Sequence, residues 1–204
     1  MDMPRDTMDE VSDETLLRLY ANGDATAARL LTARLSPRVL GYATRLLADR
    51  AEAEDITQEA MMRLWRIAPQ WRTGEAQIST WLYRVVTNLC SDLKRSRRTR
   101  AGVGLDDAPE VAAATASAVA SLMQADRMTA LHRALDQLPD RQRQAVVLRH
   151  IEGLANPEIA QIMELGIEAV ESLTARGKRT LAAILAGRKA ELGYEDDADE
   201  REAV

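Results

Sequence analysis

The sequence predicts an all-α protein: two small helical domains joined by a flexible linker. Three observations point there. Ala and Leu dominate the 204 residues, Phe is absent, and only 10 Gly and 6 Pro occur, so good helix formers fill most positions. Apolar residues recur three or four apart along most of the chain, which is the period of an amphipathic helix. One segment, 101–121, interrupts that period with Ala, Gly, Asp and Pro, the composition of a tether. The length is more than one small core needs and fits two modest domains.

The helices of the first half follow in order. Leu16, Leu17, Leu19 and Tyr20 begin an amphipathic pattern that Gly23 ends. Asp24 caps the next helix, which carries Ala27, Leu30, Leu31 and Arg34. Ser36-Pro37 is read as a fresh start, a cap followed by a first-turn Pro, with Val39, Leu40, Ala43, Leu46 and Leu47 as its stripe. Ala51 to Ile67 forms a long helix with Ile56, Ala60, Leu64 and Ile67 on one face; Asp55, Gln58, Glu59, Met62 and Arg66 take the others. Pro69 and Gly74 mark a loop. Ser79 then caps a helix striped by Trp81, Leu82, Val85, Val86, Leu89 and Leu93. It runs into KRSRRTR, residues 94–100, where positive charge suits a helix C-terminus.

The second domain starts near Met123. Leu131, Leu135 and Leu138 make one helix. Pro139 opens another with Ala145, Val146, Leu148 and Ile151, closed by Gly153. Asn156-Pro157-Glu158 caps a short helix, Leu165-Gly166 supplies a tight turn, and Ile167 to Leu185 is the last helix, with Val170, Leu173, Leu181 and Ile184 inward. A short helix, a turn and a longer helix with exposed Arg and Lys form the helix-turn-helix pattern. Gly177 inside that helix costs ~1 kcal/mol relative to Ala unless close packing needs it.

Composition excludes several classes. The single cysteine, Cys90, cannot form an internal disulfide framework, and with only two histidines no Cys/His metal cluster arises. Cys90 is read as a partly buried, inert thiol, and His132 and His150 as surface or capping residues. No catalytic triad pattern or phosphate-binding Gly loop stands out, so no enzyme activity, cofactor or metal is expected. No apolar run approaches the ~20 residues of a membrane span, and the start lacks a signal-peptide pattern, so a cytoplasmic protein is expected. The formal charge of −5 hides an uneven distribution. Residues 1–14 carry six acids and one base, and residues 189–204 seven acids and two bases, so the body between is positive by five. A basic body between acidic ends suits a nucleic-acid binder, although acidic ends also simply aid solubility.

Two segments carry a family resemblance. AEAEDITQEAMMRLWR followed by ISTWLYRVVTNLCSDLKRSRR resembles region 2 of the extracytoplasmic-function (ECF) sigma factors of bacterial RNA polymerase. LDQLPDRQRQAVVLRHIEGLANPEIAQIMELGIEAVESLTARGKRTL resembles region 4 of the same family, in the same order. The resemblance implies region 2 over 12–100, a linker over 101–122, region 4 over 123–188 and an acidic tail over 189–204. It implies a protein that binds core polymerase at the β′ clamp helices and the β flap. Such a factor recognises the minus-ten and minus-thirty-five promoter elements, initiates transcription of a stress regulon, and is held inactive by an anti-sigma factor.

Site residues follow from the same resemblance. Asp55, Gln58 and Glu59, beside Leu64 and Trp65, are expected to dock on polymerase. The loop from Trp71 to Gln77 is expected to capture a flipped base, which costs a few kcal/mol that pocket contacts must offset. Arg84 and Asn88 are expected on the single strand, and Lys94, Arg95, Arg97 and Arg98 on phosphates. Trp81 is expected in the core; the family's primary members carry a wedge pair of tryptophans that this sequence lacks, which implies a stricter promoter requirement. In region 4, Glu171, Ser172, Ala175 and Arg176 are expected toward the major groove, with Lys178 and Arg179 supporting them. Glu171 and Leu173 stand where the family often has basic residues. Two rival readings use part of the sequence: a stand-alone helix-turn-helix regulator leaves the EDITQE helix unused, and a sigma-like decoy of an anti-sigma factor has no need for the basic run after Leu93.

Overall fold

A computed structural model describes residues 11–72, 74, 77–101 and 119–186. The acidic ends, most of the tether and part of the loop after Trp71 lie outside the described residues. Those described form eight α-helices and no strand: α1 (Asp13–Ala21), α2 (Ala25–Leu47), α3 (Arg50–Ile67), α4 (Ile78–Ala101), α5 (Val119–Asp136), α6 (Asp140–Val146), α7 (Asn156–Met163) and α8 (Ile167–Ala186). A short 3₁₀ turn, Ala68–Gln70, follows α3, and a π turn, Val147–Ile151, extends α6. α5 thus starts ahead of the expected Met123.

Local chemistry sets most ends. Ser12, Asp24 and Asp49 each accept a backbone N–H from the first turn of α1, α2 and α3, satisfying donors that a helix start leaves unpaired. Gly23, at φ 95°, turns the chain between α1 and α2. The expected restart at Ser36-Pro37 does not occur: α2 runs through Pro37 unbroken. A Pro inside a helix costs ~3 kcal/mol. Leu31, Leu35, Val39 and Tyr42, all buried on one stripe across it, each gain roughly 1.5–3 kcal/mol from burial, so packing wins. Pro37 and Ala33 lie on the exposed side, where the carbonyl left without a donor meets water. Ser79 is likewise not a cap, since α4 begins one residue earlier.

Helices α1 to α4 enclose the first core, centred on Leu16, Leu31, Leu35, Tyr42, Leu46, Leu64, Leu82 and Val86. Tyr42 and Tyr83 meet edge to face at 5.1 Å, and the Tyr42 hydroxyl shares a 2.8 Å hydrogen bond with Thr87, so this aromatic centre stays satisfied. Helices α5 to α8 enclose a second core around Leu135, Leu138, Val146, Leu148, Ile159, Ile162 and Val170. The α7–α8 turn uses Glu164 as its left-handed residue, at φ 54°, and not Gly166 as the sequence suggests. The cap of α7 is also shifted. Ala155 occupies that position, and its N–H donates to the Glu158 carboxylate at 2.8 Å.

Gly177 has a packing reason. A Cβ there would stand 2.6 Å from Cγ2 of Val146 and 3.1 Å from the Gln142 carbonyl oxygen, so α8 approaches α6 at a distance only Gly permits. On an exposed helix, Gly177→Ala would gain ~1 kcal/mol from propensity. Here the clash reverses the sign, and a loss of about 1–3 kcal/mol is expected. Urea denaturation of the variant checks this.

The two units pack against each other. α4 lies against α7, and the end of α2 against α5 and α6. Arg143, only 7% exposed, donates to the Leu46 carbonyl at 2.9 Å, to the Asp136 carbonyl at 2.6 Å, and pairs with the Asp136 carboxylate at 3.1 Å. Leu46 lies in the last turn of α2, where carbonyls have no helical donor and a cation is favoured. The π turn leads into Glu152, whose carboxylate accepts the Tyr83 hydroxyl at 2.5 Å and faces Arg45 at 3.4 Å. The buried apolar cluster is continuous across both units.

Candidate nucleic-acid interface

α3 presents two opposite faces. Ile56, Ala60 and Leu64 point into the core. Asp55 and Gln58 are exposed on the other side, Glu59 pairs with Arg63 at 2.7 Å, and Met62 is 46% exposed beside them. Leu64 is completely buried, so its place is the core and not a surface contact; its position on the Ile56–Ala60 stripe dictates that. Trp65 is half-buried against Tyr20, with ring centroids 4.6 Å apart, and borders a shallow apolar cleft with Ala28, Thr32 and Ala33.

α4 carries the cations. Trp71 and Trp81 meet edge-on at 6.0 Å, both half-buried against the first core. The indole N–H of Trp71 is buried without a partner among the described residues. Thr73, Glu75 and Ala76 of the expected base-capture loop lie outside the described residues. Arg84 and Asn88 are exposed one turn apart. Arg84 reaches Glu164 at 2.6 Å, and Lys94 and Arg98 each reach Asp140 at 2.5 Å. Arg97 turns back to Asp49 and Glu52 at the start of α3, and Arg95 pairs with Asp92 at 3.2 Å. A cleft of about 500 Å³ opens between α4, α6 and α7, bordered by Asn88, Lys94, Arg95 and Arg98. Partial burial raises the proton affinity of Asp140. The hydrogen bond from Lys94 and the charges of Lys94, Arg143 and Arg98 more than offset this, so the carboxyl sits below its ordinary pKa. Cys90 lines the same cleft, and burial pushes its thiol up to about 12, which leaves it unreactive.

α8 exposes Glu171, Ser172, Ala175, Arg176, Lys178 and Arg179. Asn156, at the start of α7, donates to Glu171 at 3.2 Å. Arg176 donates to the Ser172 hydroxyl at 2.7 Å. Glu171, Ser172, Ala175, Arg176 and Arg179 follow one helical face. Lys178 lies to the flank, where partial burial and then its charge and that of Arg149 hold His150 below its ordinary pKa. Leu173 is half-buried against the core, so a basic residue there would have to displace packing.

Comparison with known proteins decides what these faces belong to. The Sigma-70 region 2 family matches residues 31–100, and the Sigma-70 region 4 family matches residues 128–181. The RNA polymerase sigma-H factor of Pseudomonas aeruginosa is 30% identical over 177 residues, covering 83% of this chain and 91% of that protein. The ECF RNA polymerase sigma factor SigM of Mycobacterium tuberculosis is 34% identical over 177 residues, covering 86% of each. The chain belongs to the ECF sigma factors. Among solved structures, CnrH in complex with the cytosolic domain of CnrY superimposes with a TM-score of 0.63 at 23% identity, over 86% of this sigma factor and 97% of that chain. RpoE of Bartonella quintana, solved with the anti-sigma factor NepR, gives 0.65 at 19% identity, over 78% and 96%. These two show the fold.

In this sigma factor, region 2 comprises most of α2, all of α3 and α4 up to Arg100, and region 4 runs from α5 into α8. Region 2 brings an outward polar face and a cationic surface, and region 4 a second cationic surface. Sequence reasoning missed Tyr83, Asp140, Arg143 and Glu152, which are among the residues joining the two units. Local signals were slight, because the partners of these residues lie in the other unit, 42 to 107 positions away. Met62 was placed off the stripe, but its exposure beside Asp55 and Glu59 gives the polar face an apolar centre. No helix among the described residues is long and apolar enough to cross a membrane.

Proposed function

We propose that this sigma factor docks on core RNA polymerase through Asp55, Gln58, Glu59, Met62 and Trp65, in the cytoplasm, and directs it to promoters. Region 2, over 12–100, takes the melted minus-ten strand at Arg84, Asn88, Lys94, Arg95, Arg97 and Arg98, with Trp71 beside the base-capture loop. Region 4, over 123–188, enters the minus-thirty-five major groove with Glu171, Ser172, Ala175 and Arg176, while Lys178 and Arg179 meet phosphates. The β′ clamp helices suit the α3 face, because that face is acidic and polar around one adaptable methionine. The β flap would take region 4. A partner anti-sigma factor would hold the protein inactive until a stress signal releases it.

The observation that carries this reading is the pairing of an outward polar α3 face with two separate cationic surfaces in one chain of this family. Each surface alone makes few phosphate contacts, while fixing both on one scaffold raises effective concentration. Promoter duplex titrated in about 0.15 M salt tests it. The free chain is expected to bind in the micromolar range or weaker, ~10⁻⁶ M at best. The holoenzyme is expected to bind about a hundredfold tighter or more. Nanomolar specific binding by the chain alone would overturn the reading.

A further inference from the structure

The exposed face of α8 is divided by charge. Its first two turns carry Glu168 and Glu171, and its later turns carry Arg176 and Arg179, all exposed. Phosphates suit the cations. They repel the carboxylates, so an acid on a helix that enters the groove is unfavourable unless it meets a donor there. Neighbours on a helix stand three and four residues away. For Glu171 these are Ile167, Glu168, Thr174 and Ala175, none of them basic, and Glu171 enters no ion pair among the described residues. Its partner is a neutral amide: Nδ2 of Asn156 donates to Oε1 at 3.2 Å.

Both ends of that bond are anchored in the second core. Asn156 is the first residue of α7, whose Ile159 and Ile162 are buried, and Glu171 follows the fully buried Val170 of α8. Gly177 then seats α8 closely on α6. The amide thus fixes one carboxylate oxygen and leaves Oε2 without a bond among the described residues. Ser172 and Ala175 beside it are short, so the carboxylate reaches further from the helix axis than they do. Among the base edges of the major groove, only cytosine N4 and adenine N6 donate. Adenine sets its N7 acceptor next to N6, which repels a carboxylate, while cytosine has only a C5–H next to N4. Guanine and thymine offer acceptors alone. Cytosine is therefore the base that suits a fixed carboxylate best.

We propose that Glu171 selects a cytosine in the minus-thirty-five element by accepting its N4–H at Oε2, and that Asn156 is the positioning residue that aims the carboxylate. The proposal rests on the assignment of α8 to that major groove. Lys178 and Arg179 supply phosphate contacts that offset the repulsion of the acid. Guanine or thymine at the same position sets the carboxylate against an acceptor. A base contact of this kind discriminates by about 5- to 150-fold.

The test uses holoenzyme assembled from core polymerase and the full chain. A promoter duplex library, randomised across the minus-thirty-five element with a fixed minus-ten element, is selected for binding and the bound sequences are counted. Wild type is expected to show a position where cytosine is enriched about fivefold or more over guanine and thymine. E171Q is expected to move that preference to adenine, because a carboxamide matches adenine N6 and N7 with an acceptor and a donor. E171A should bring the four bases at that position to within about twofold of one another. N156A should weaken the cytosine preference at the same position and leave the other positions unchanged, which a loss of folding or of general affinity does not do. R179A should lower binding to all sequences alike and keep the profile. Wild-type profiles from both E171A and E171Q would overturn the proposal. Uniformly tighter binding by E171A with an unchanged profile would overturn it too, since Glu171 would then only repel phosphate. An N156A profile identical to wild type would remove the aiming role. Wild-type holoenzyme that enriches no minus-thirty-five sequence would remove the groove assignment itself, and the proposal with it.

Discussion

Replacing Asp55, Gln58 and Glu59 together by Ala is expected to abolish polymerase-dependent transcription while leaving the fold intact. Asp55 and Gln58 are exposed, and Glu59 makes only an i,i+4 pair with Arg63. Exposed substitutions of this kind shift stability by about 0.5 kcal/mol or less each, and the lost pair contributes about 0.3–0.5 kcal/mol. The helix cap at Asp49 and the buried Ile56, Ala60 and Leu64 are untouched. Binding is a different matter. Truncating central interface residues costs ~2 kcal/mol or more each, though not additively, so affinity for core polymerase should fall by about 100-fold or more. Circular dichroism, a native-gel assay with core polymerase and promoter-directed transcription check the three parts separately. An unchanged spectrum together with wild-type transcription would move the docking face elsewhere.

The second large effect is expected at Arg143. Arg143→Ala leaves the Leu46 carbonyl without its donor and removes the partner of Asp136. Hydrogen bonds from a charged group are worth about 1.5–3 kcal/mol. The Asp136 side chain is 37% exposed and can return to water, so the loss falls below the roughly 3–5 kcal/mol of a fully buried pair, to about 2–3 kcal/mol. For a chain of this size that is a fall in Tm of about 5–10 °C. Arg143→Lys keeps the charge but loses the planar fork that reaches two carbonyls at once, and should recover only part of the loss. Calorimetry of both variants measures it. A melting curve unchanged in Arg143→Ala would mean that the two units are not packed through this residue in solution.

The fold was legible in the sequence because its signals are local. Asp24 as a cap, Gly23 as a stop and the Ile56–Ala60–Leu64 stripe each depend on residues within one or two turns, and the structure shows them in those roles. The cap at Asn156 was misplaced by one residue and that at Ser79 by two, since Ser, Asn and Pro are accepted on either side of a helix boundary. Pro37 misled because its local cost was visible while the buried stripe that outweighs it was split between two segments. Gly177 was legible as an anomaly, but its reason lay in Val146 and Gln142, 31 and 35 positions away. The outward residues of α3, α4 and α8 were legible through family motifs. Their ion pairs were not, because Lys94–Asp140 and Arg84–Glu164 join residues of opposite units. A run such as KRSRRTR reads the same whether its cations face phosphate, solvent or a carboxylate from another domain.

Promoter-directed run-off transcription with purified core polymerase tests the sigma assignment most directly. Core enzyme alone should give no specific transcript, and adding this chain should start transcription at a fixed site downstream of matched minus-thirty-five and minus-ten elements. A chain that binds core polymerase or promoter DNA yet yields no specific transcript on any promoter drawn from its own genome would contradict it.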